Sequence, residues 1–369
     1  MNSDAIVVGG GVMGLMSARE LASRGLSVTV IDRGPLAGEA SWAGGGIVSP
    51  LYPWRYDQAV SALSQLSQQA YATLAPALHL ESGVDPELRQ KGLLMMAVAD
   101  TDAALAWAGQ QGAALEQVEA EFARRLEPRV RLAEGPLLWM PTVASIRNPR
   151  LGRALVASLQ RNPRVRLLAG EPVEALLVSQ GRVTGVKLLG QTLSADNVMI
   201  CGGAWSRQLL APLGIALPVE PVKGQMMLFK TDGMLLDRVV LANGRYLIPR
   251  SDGRILVGST LERTGFSKQV TAAAYQSLYQ SAVELLPELR SQPVEAQWAG
   301  LRPGSPQGIP FIGEVPGVRN LFLNAGHFRN GLVLAPASCR LVAELVCGET
   351  PSLDPAPYGL DAERGNELL

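Results

Sequence analysis

The run Gly9-Gly10-Gly11-Val12-Met13-Gly14 spells G-x-G-x-x-G, and Asp32 follows its last glycine by 18 positions. In this pattern Gly9 makes a tight turn, Gly11 lets the backbone approach a pyrophosphate and Gly14 lets a helix pack on a strand. A carboxylate at the end of the next strand then accepts hydrogen bonds from a ribose. The pattern alone is weak, and its surroundings give it weight. An apolar run at 5–8 precedes it, and a helical pattern with Val12, Leu15, Met16, Leu21 and Ala22 on one face follows and stops at Gly25. Residues 28–31 then lead into Asp32. These segments predict a βαβ unit whose helix N-terminus faces phosphate. A second glycine-rich segment, Ala40-Ser41-Trp42-Ala43-Gly44-Gly45-Gly46-Ile47, comes shortly after. An extended cofactor needs it, because small residues let the chain run beside a ribityl group and a ring edge, so the expected ligand is FAD. Taken by itself the segment also reads as a surface loop.

The rest of the chain must position these loops. Residues 59–78 and 101–113 are alanine- and leucine-rich and predict helices inserted after the βαβ opening. Short β-branched runs at 183–189 and 198–201 are separated by turn signals such as Gln180-Gly181. Runs at 226–229, 239–242, 246–249 and 255–258 are spaced as in an antiparallel sheet, and a strand at 321–324 is followed by a helix over 331–346. The expected fold class is α/β: a Rossmann-type FAD-binding domain with a second, mainly antiparallel-sheet α+β substrate domain. The division expected is 1–85, 145–218 and 305–360 for the discontinuous FAD-binding domain, 86–144 and 219–304 for the substrate domain, and 361–369 as a polar tail.

Composition narrows the function classes. With 369 residues and 47% hydrophobic content, the chain can bury two cores. Lys+Arg and Asp+Glu number 33 each, so no basic field exists to gather a nucleic acid. Mean hydropathy is +0.14, yet no uninterrupted apolar stretch of membrane-spanning length occurs. Met1-Asn2-Ser3-Asp4 lacks the basic flank of a signal peptide, which leads us to expect a cytoplasmic protein. Cys201, Cys339 and Cys347 show no C-x-x-C spacing, so neither a disulfide framework nor a metal site is expected. The two histidines, His79 and His327, lie near no second acidic or nucleophilic cluster, which argues against a hydrolytic triad.

Five segments give the chain its resemblance to a known family: residues 7–14, Pro221-Val222-Lys223-Gly224-Gln225, Tyr246-Leu247-Ile248-Pro249-Arg250, Trp298-Ala299-Gly300-Leu301-Arg302-Pro303-Gly304 and Ala325-Gly326-His327-Phe328-Arg329-Asn330-Gly331. Over nearly its whole length the chain resembles the D-amino-acid oxidase and sarcosine oxidase superfamily of FAD-dependent amine oxidases, and within it the glycine oxidases of the thiamine pathway. The resemblance implies that Val12 and Met13 meet the phosphates, Asp32 and Arg33 the ribose and adenine, and Val173 the adenine. It also implies that Ala40, Ser41, Gly45, Gly46 and Ile47 line the ribityl chain and flavin. His327, Phe328, Arg329, Asn330, Gly331, Leu332 and Val333 would face the flavin's pyrimidine edge.

For the substrate, the resemblance makes Arg302 the clamp for a carboxylate, with Tyr246 adding a hydrogen bond and Arg329 touching substrate or flavin. Arg302 is expected in a Gly/Pro-framed loop. The implied reaction removes the α-hydrogen of a neutral amine as hydride; the imine hydrolyses to oxo acid and ammonia or amine, and O2 is reduced to hydrogen peroxide. No cysteine or histidine lies in residues 39–50 or 302–313, so non-covalent FAD is expected. The resembled enzymes carry a histidine where this chain has Gly244 and a methionine where it has Leu261, and Ser49 and Pro50 replace small residues of their loop. Substrate ranking among glycine, sarcosine, N-ethylglycine and small D-amino acids is therefore open. So is oligomeric state, with a homo-oligomer suggested by the resemblance. Two other readings share the fold: a quinone-linked D-amino-acid dehydrogenase, and a non-catalytic FAD-binding subunit.

Overall fold

The computed structural model describes residues 3–365; Met1 and Asn2 of the first expected segment, and the last four residues of the expected tail, lie outside the described residues. At the centre of the first sheet is the strand Ser3–Val8, paired in parallel with Val28–Asp32 on one side and with the C-terminal half of Gln191–Ile200 on the other. Val165–Ala169 and Leu321–Ala325 extend the sheet in parallel at its two flanks. Ile6 and Val7 are fully buried, as continuous apolar strands are when both faces of a parallel sheet are covered. The helices Val12–Ser23 and Gln58–Ser82 both pack on the closing helix Gly331–Cys347.

The N-terminal half of Gln191–Ile200 pairs antiparallel with Arg182–Leu188, which turns back on Ala175–Ser179 through Gln180-Gly181. Both turn residues are left-handed, with φ of 51° and 69°, the geometry that matches a tight hairpin to strand twist.

The second sheet has eight strands, in the order Val294–Gly304, Glu220–Phe229, Ile255–Gly258, Arg245–Pro249, Val239–Ala242, Leu93–Met96, Leu137–Met140 and Glu116–Val118. All neighbours run antiparallel except Val239–Ala242 beside Leu93–Met96. Strand alternation sorts its side chains. Met227, Phe229, Leu247 and Val257 form one core with Leu278 and Ala282 of the helix Ala272–Leu285, whereas Met226, Tyr246, Ile248 and Leu256 belong to a separate cluster. Met226 and Tyr246 thereby reach the cavity described below.

One expectation is corrected. The segment 300–304 is not a loop but the end of the strand Val294–Gly304, with Arg302 opposite Val222. This strand lies at the sheet edge, where Pro303 breaks no ladder on its outer side, so a Gly/Pro-rich stretch stays extended. The described part of the expected polar tail, 361–365, touches the rest of the chain. Arg364 donates to the carbonyls of Ile309 and Pro310 at 2.7 and 3.0 Å and lies 3.8 Å over the Phe311 ring, which docks it on the body of the protein.

Candidate functional site

A cavity of about 500 Å³ runs between the carboxyl ends of the parallel strands and the second sheet. Ligands of open α/β sheets bind at this end, where chain reversals leave a crevice. Gly9 forms the first turn at φ 113°, and a Cβ there would meet the Cys201 carbonyl oxygen at 2.3 Å, so only glycine fits. At Gly14 a Cβ would come within 1.8 Å of the Gly9 carbonyl oxygen; its place is helix-to-strand packing, and Gly14 is the one expected cofactor residue that does not line the cavity. Asp32 accepts from the Gly10 and Gly34 amides at 2.7 and 2.8 Å, which fixes its carboxylate at the cavity wall with further lone pairs to offer. The Val12 amide donates to Ser41 Oγ at 2.8 Å, so the second glycine segment is tied to the helix N-terminus.

That second segment is braced from three sides. Asn148 Nδ2 donates to the Ser41 carbonyl at 2.8 Å. The buried Arg250 donates to the carbonyls of Gly45 and Ile146 at 2.7 and 3.1 Å, and burial lowers its pKa to about 10. At Gly45 a side chain would press on Tyr246 and Ile248, with closest approaches of 3.2 and 3.0 Å, so the loop lies directly against the substrate-side tyrosine. Ala40, Ser41, Gly45, Gly46, Ile47 and Val173 all line the cavity. Arg33 lies 4.0 Å over the Trp205 ring, which itself stacks on Phe266.

The closing helix brings its N-terminus to the same space. Residues 327–333 all line the cavity, and Phe328 is held left-handed at φ 45°, a costly conformation for a bulky residue. Asn330 sits at the N-cap with no capping bond, and its buried Nδ2 has no partner. Helix N-termini leave amides free and carry positive potential, so a negatively charged ring edge or phosphate fits here. His327 is buried against Ser338, 2.7 Å away, and burial pulls its pKa down to about 3, so it is neutral at ordinary pH. The unpaired Asn330 amide and the helix N-terminus beside the cavity are what the negatively charged part of an extended dinucleotide would meet; among the described residues no cluster of three or more His, Cys, Asp or Glu could hold a metal ion.

At the second-sheet end, Tyr246, Arg302 and Arg329 converge on the cavity. Arg302 donates to Ser259 Oγ at 2.7 Å and to the Thr260 carbonyl at 3.1 Å. Burial lowers its pKa; Tyr246 offsets this, and the nearby Arg329 charge adds to the lowering. An arginine stays charged through such a shift, so two guanidiniums and a phenol leave an anion-binding end in a lining that is otherwise largely apolar. The Tyr246 hydroxyl lies 3.5 Å from Met226 Sδ.

Neither Gly244 nor Leu261 lines the cavity: Gly244 is in the Asn243-Gly244 hairpin turn, and Leu261 is about half exposed. Ser49 does line it, Pro50 does not, and Leu51, Tyr56, Met226 and Ser259 complete this end. Sequence reasoning did not single out Ser259, Tyr56, Asn148 or Trp205. Trp205 had a signal, its position just past a parallel strand; the others lie in segments with no local mark of function.

Comparison with known proteins bears on this geometry. Residues 4–345 match the family model described as DAO, FAD dependent oxidoreductase. The chain is 52% identical to a glycine oxidase of Pseudomonas aeruginosa over 97% of this chain and 98% of the relative. It is 51% identical to one of Pseudomonas putida, over 99% and 100%. The crystal structure of glycine oxidase from Geobacillus kaustophilus superposes with a TM-score of 0.93 at 30% identity, covering 99% of this chain and all of that one. With matched length, matched fold and a glycine-lined crevice facing two arginines, the chain belongs to the DAO family of FAD-dependent oxidoreductases.

Proposed function

We propose that this protein is an FAD-dependent oxidase that deaminates glycine and related small amines, among them sarcosine and small D-amino acids, to oxo acid, ammonia or amine, and hydrogen peroxide. The observation that carries the reading is one cavity with a backbone-lined dinucleotide cradle at one end and Arg302, Tyr246 and Arg329 at the other. When bound, FAD supplies a two-electron acceptor that O2 regenerates. Arg302 holds the substrate carboxylate with charge-assisted hydrogen bonds, and the Tyr246 hydroxyl adds another. Met226 Sδ lies 3.5 Å from the Tyr246 hydroxyl, and the missing side chain at Gly45 leaves room for the Tyr246 ring beside the glycine-rich segment. The neutral His327 takes no proton, and none is needed from a side chain when the amine enters unprotonated. The protein's part is to position and to exclude water.

The same reading divides the chain into a discontinuous FAD-binding unit (1–85, 145–218, 305–360) and a substrate unit (86–144, 219–304). FAD is held non-covalently: acid precipitation should leave yellow flavin in the supernatant. A cytoplasmic location, a homo-oligomeric state and a role in assembling the thiamine thiazole belong to the same reading. Among the described residues no helix is long and apolar enough to cross a membrane. Anaerobic glycine should bleach the flavin, and air should then yield peroxide. Bleaching without peroxide would mark a quinone-linked D-amino-acid dehydrogenase, and no bleaching with any small amino acid would mark a non-catalytic subunit.

A further inference from the structure

The strand segment Pro221-Val222-Lys223-Gly224-Gln225 holds a buried cation, a glycine and a buried amide that no step above uses. Lys223 is 3% exposed and Gln225 0%. The Lys223 side chain is buried but that of its partner Glu262 is 27% exposed, and an ion pair open to water on one side adds little stability, so the arrangement calls for another explanation. Lys223 Nζ lies 2.8 Å from Glu262 Oε2 and donates to the Gln269 carbonyl at 3.2 Å. The other Glu262 oxygen accepts from Gln225 Nε2 at 2.8 Å and from the Thr260 hydroxyl. Lys223 and Glu262 also exchange both backbone hydrogen bonds, at 2.8 and 2.9 Å, and the Gln225 amide donates to Thr260 Oγ1 at 2.9 Å. Residues 259–262 are thus fastened to the strand by side chain and backbone together.

That fastened segment is what holds Arg302, through Ser259 Oγ and the Thr260 carbonyl. Gly224 lies on the other side of the guanidinium. A Cβ at Gly224 would stand 2.2 Å from both terminal nitrogens, so the guanidinium occupies the volume a side chain would fill. Two acceptors fix the plane of a five-donor fork, and a flat backbone fixes its place. The ordering of a long side chain is then completed on folding rather than on substrate binding.

We propose that Lys223, Gly224, Gln225 and Glu262 are positioning residues for Arg302, and that carboxylate affinity depends on them. The inference rests on the reading of Arg302 as the carboxylate clamp. The test uses the FAD-loaded enzyme, with acetate titrated against the flavin absorbance spectrum and glycine turnover followed in parallel. One variant is Gly224→Ala, which an extended strand tolerates and which meets only a movable side-chain end. The other is the double change Lys223→Met with Glu262→Gln, which removes both charges and leaves neither unpaired.

Each should raise the acetate Kd and the glycine KM by about tenfold or more, with the effect on KM exceeding that on kcat and FAD content unchanged. In an Arg302→Met background neither change should weaken acetate further. Wild-type acetate affinity in Gly224→Ala would overturn the proposal while Arg302→Met still loses binding; if the double variant does not fold, Gly224→Ala decides alone. Should Arg302→Met itself bind acetate as the wild type does, the clamp reading fails first and takes the inference with it.

Discussion

The two ends of the cavity are built by opposite means. The cofactor end is built from closely packed backbone: at Gly9 and Gly46 a Cβ would strike a carbonyl oxygen, and Asp32 is set by two backbone amides. The substrate end works through side chains, with Arg302 held by a hydroxyl and a carbonyl over a strand glycine. A long, multiply charged ligand can be held by many weak backbone contacts spread along it. A ligand the size of glycine offers few atoms, so a charged side chain must supply most of its affinity and must be held in place beforehand.

The contrast can be broken or sharpened by experiment. The largest effect is expected for Arg302→Met, which should lower kcat/KM for glycine by about 10²–10³-fold, corresponding to about 3–4 kcal/mol, while FAD stays bound. Loss of FAD in that variant would show that the two ends are not separable. His327 comes next. Burial depresses its pKa from 6.5 to about 3, so between those values the folded chain binds fewer protons than the unfolded one. Stability is therefore full above pH 6.5 and falls as the pH drops toward 3. Relative to wild type, urea denaturation of His327→Gln should show a pH dependence shallower by about 1.4 kcal/mol per pH unit in that window.

Gly11→Val tests the cradle. A Cβ there meets Ser41 Oγ at 3.1 Å, and the larger side chain should weaken FAD binding by about 10–100-fold while leaving the glycine KM of the FAD-saturated enzyme unchanged. The smallest effect is expected for Ser41→Ala, which removes the acceptor of the Val12 amide and should cost about 1 kcal/mol of thermal stability of the FAD-free protein. Flavin fluorescence release reads the first of these two and calorimetry the second.

How much was legible in the sequence follows the same line. The cradle is local: its turn, helix start and carboxylate fall within residues 5–32, and all the expected cofactor residues except Gly14 line the cavity. Arg302 was legible only through resemblance, and its surroundings misled, because Gly300, Pro303 and Gly304 look like a loop and lie in an edge strand. Ser259 and Thr260 carried no signal, since a serine and a threonine after an apolar run are ordinary surface residues until a distant guanidinium reaches them.

Chain chemistry over short spans settled the glycine turns, the alternation of the strands and the presence of a dinucleotide crevice, because those depend on neighbours within one or two elements. Folding alone brought residues 224, 246, 259 and 302 to one end of that crevice, because antiparallel pairing joins strands whose separation along the chain has no periodic trace.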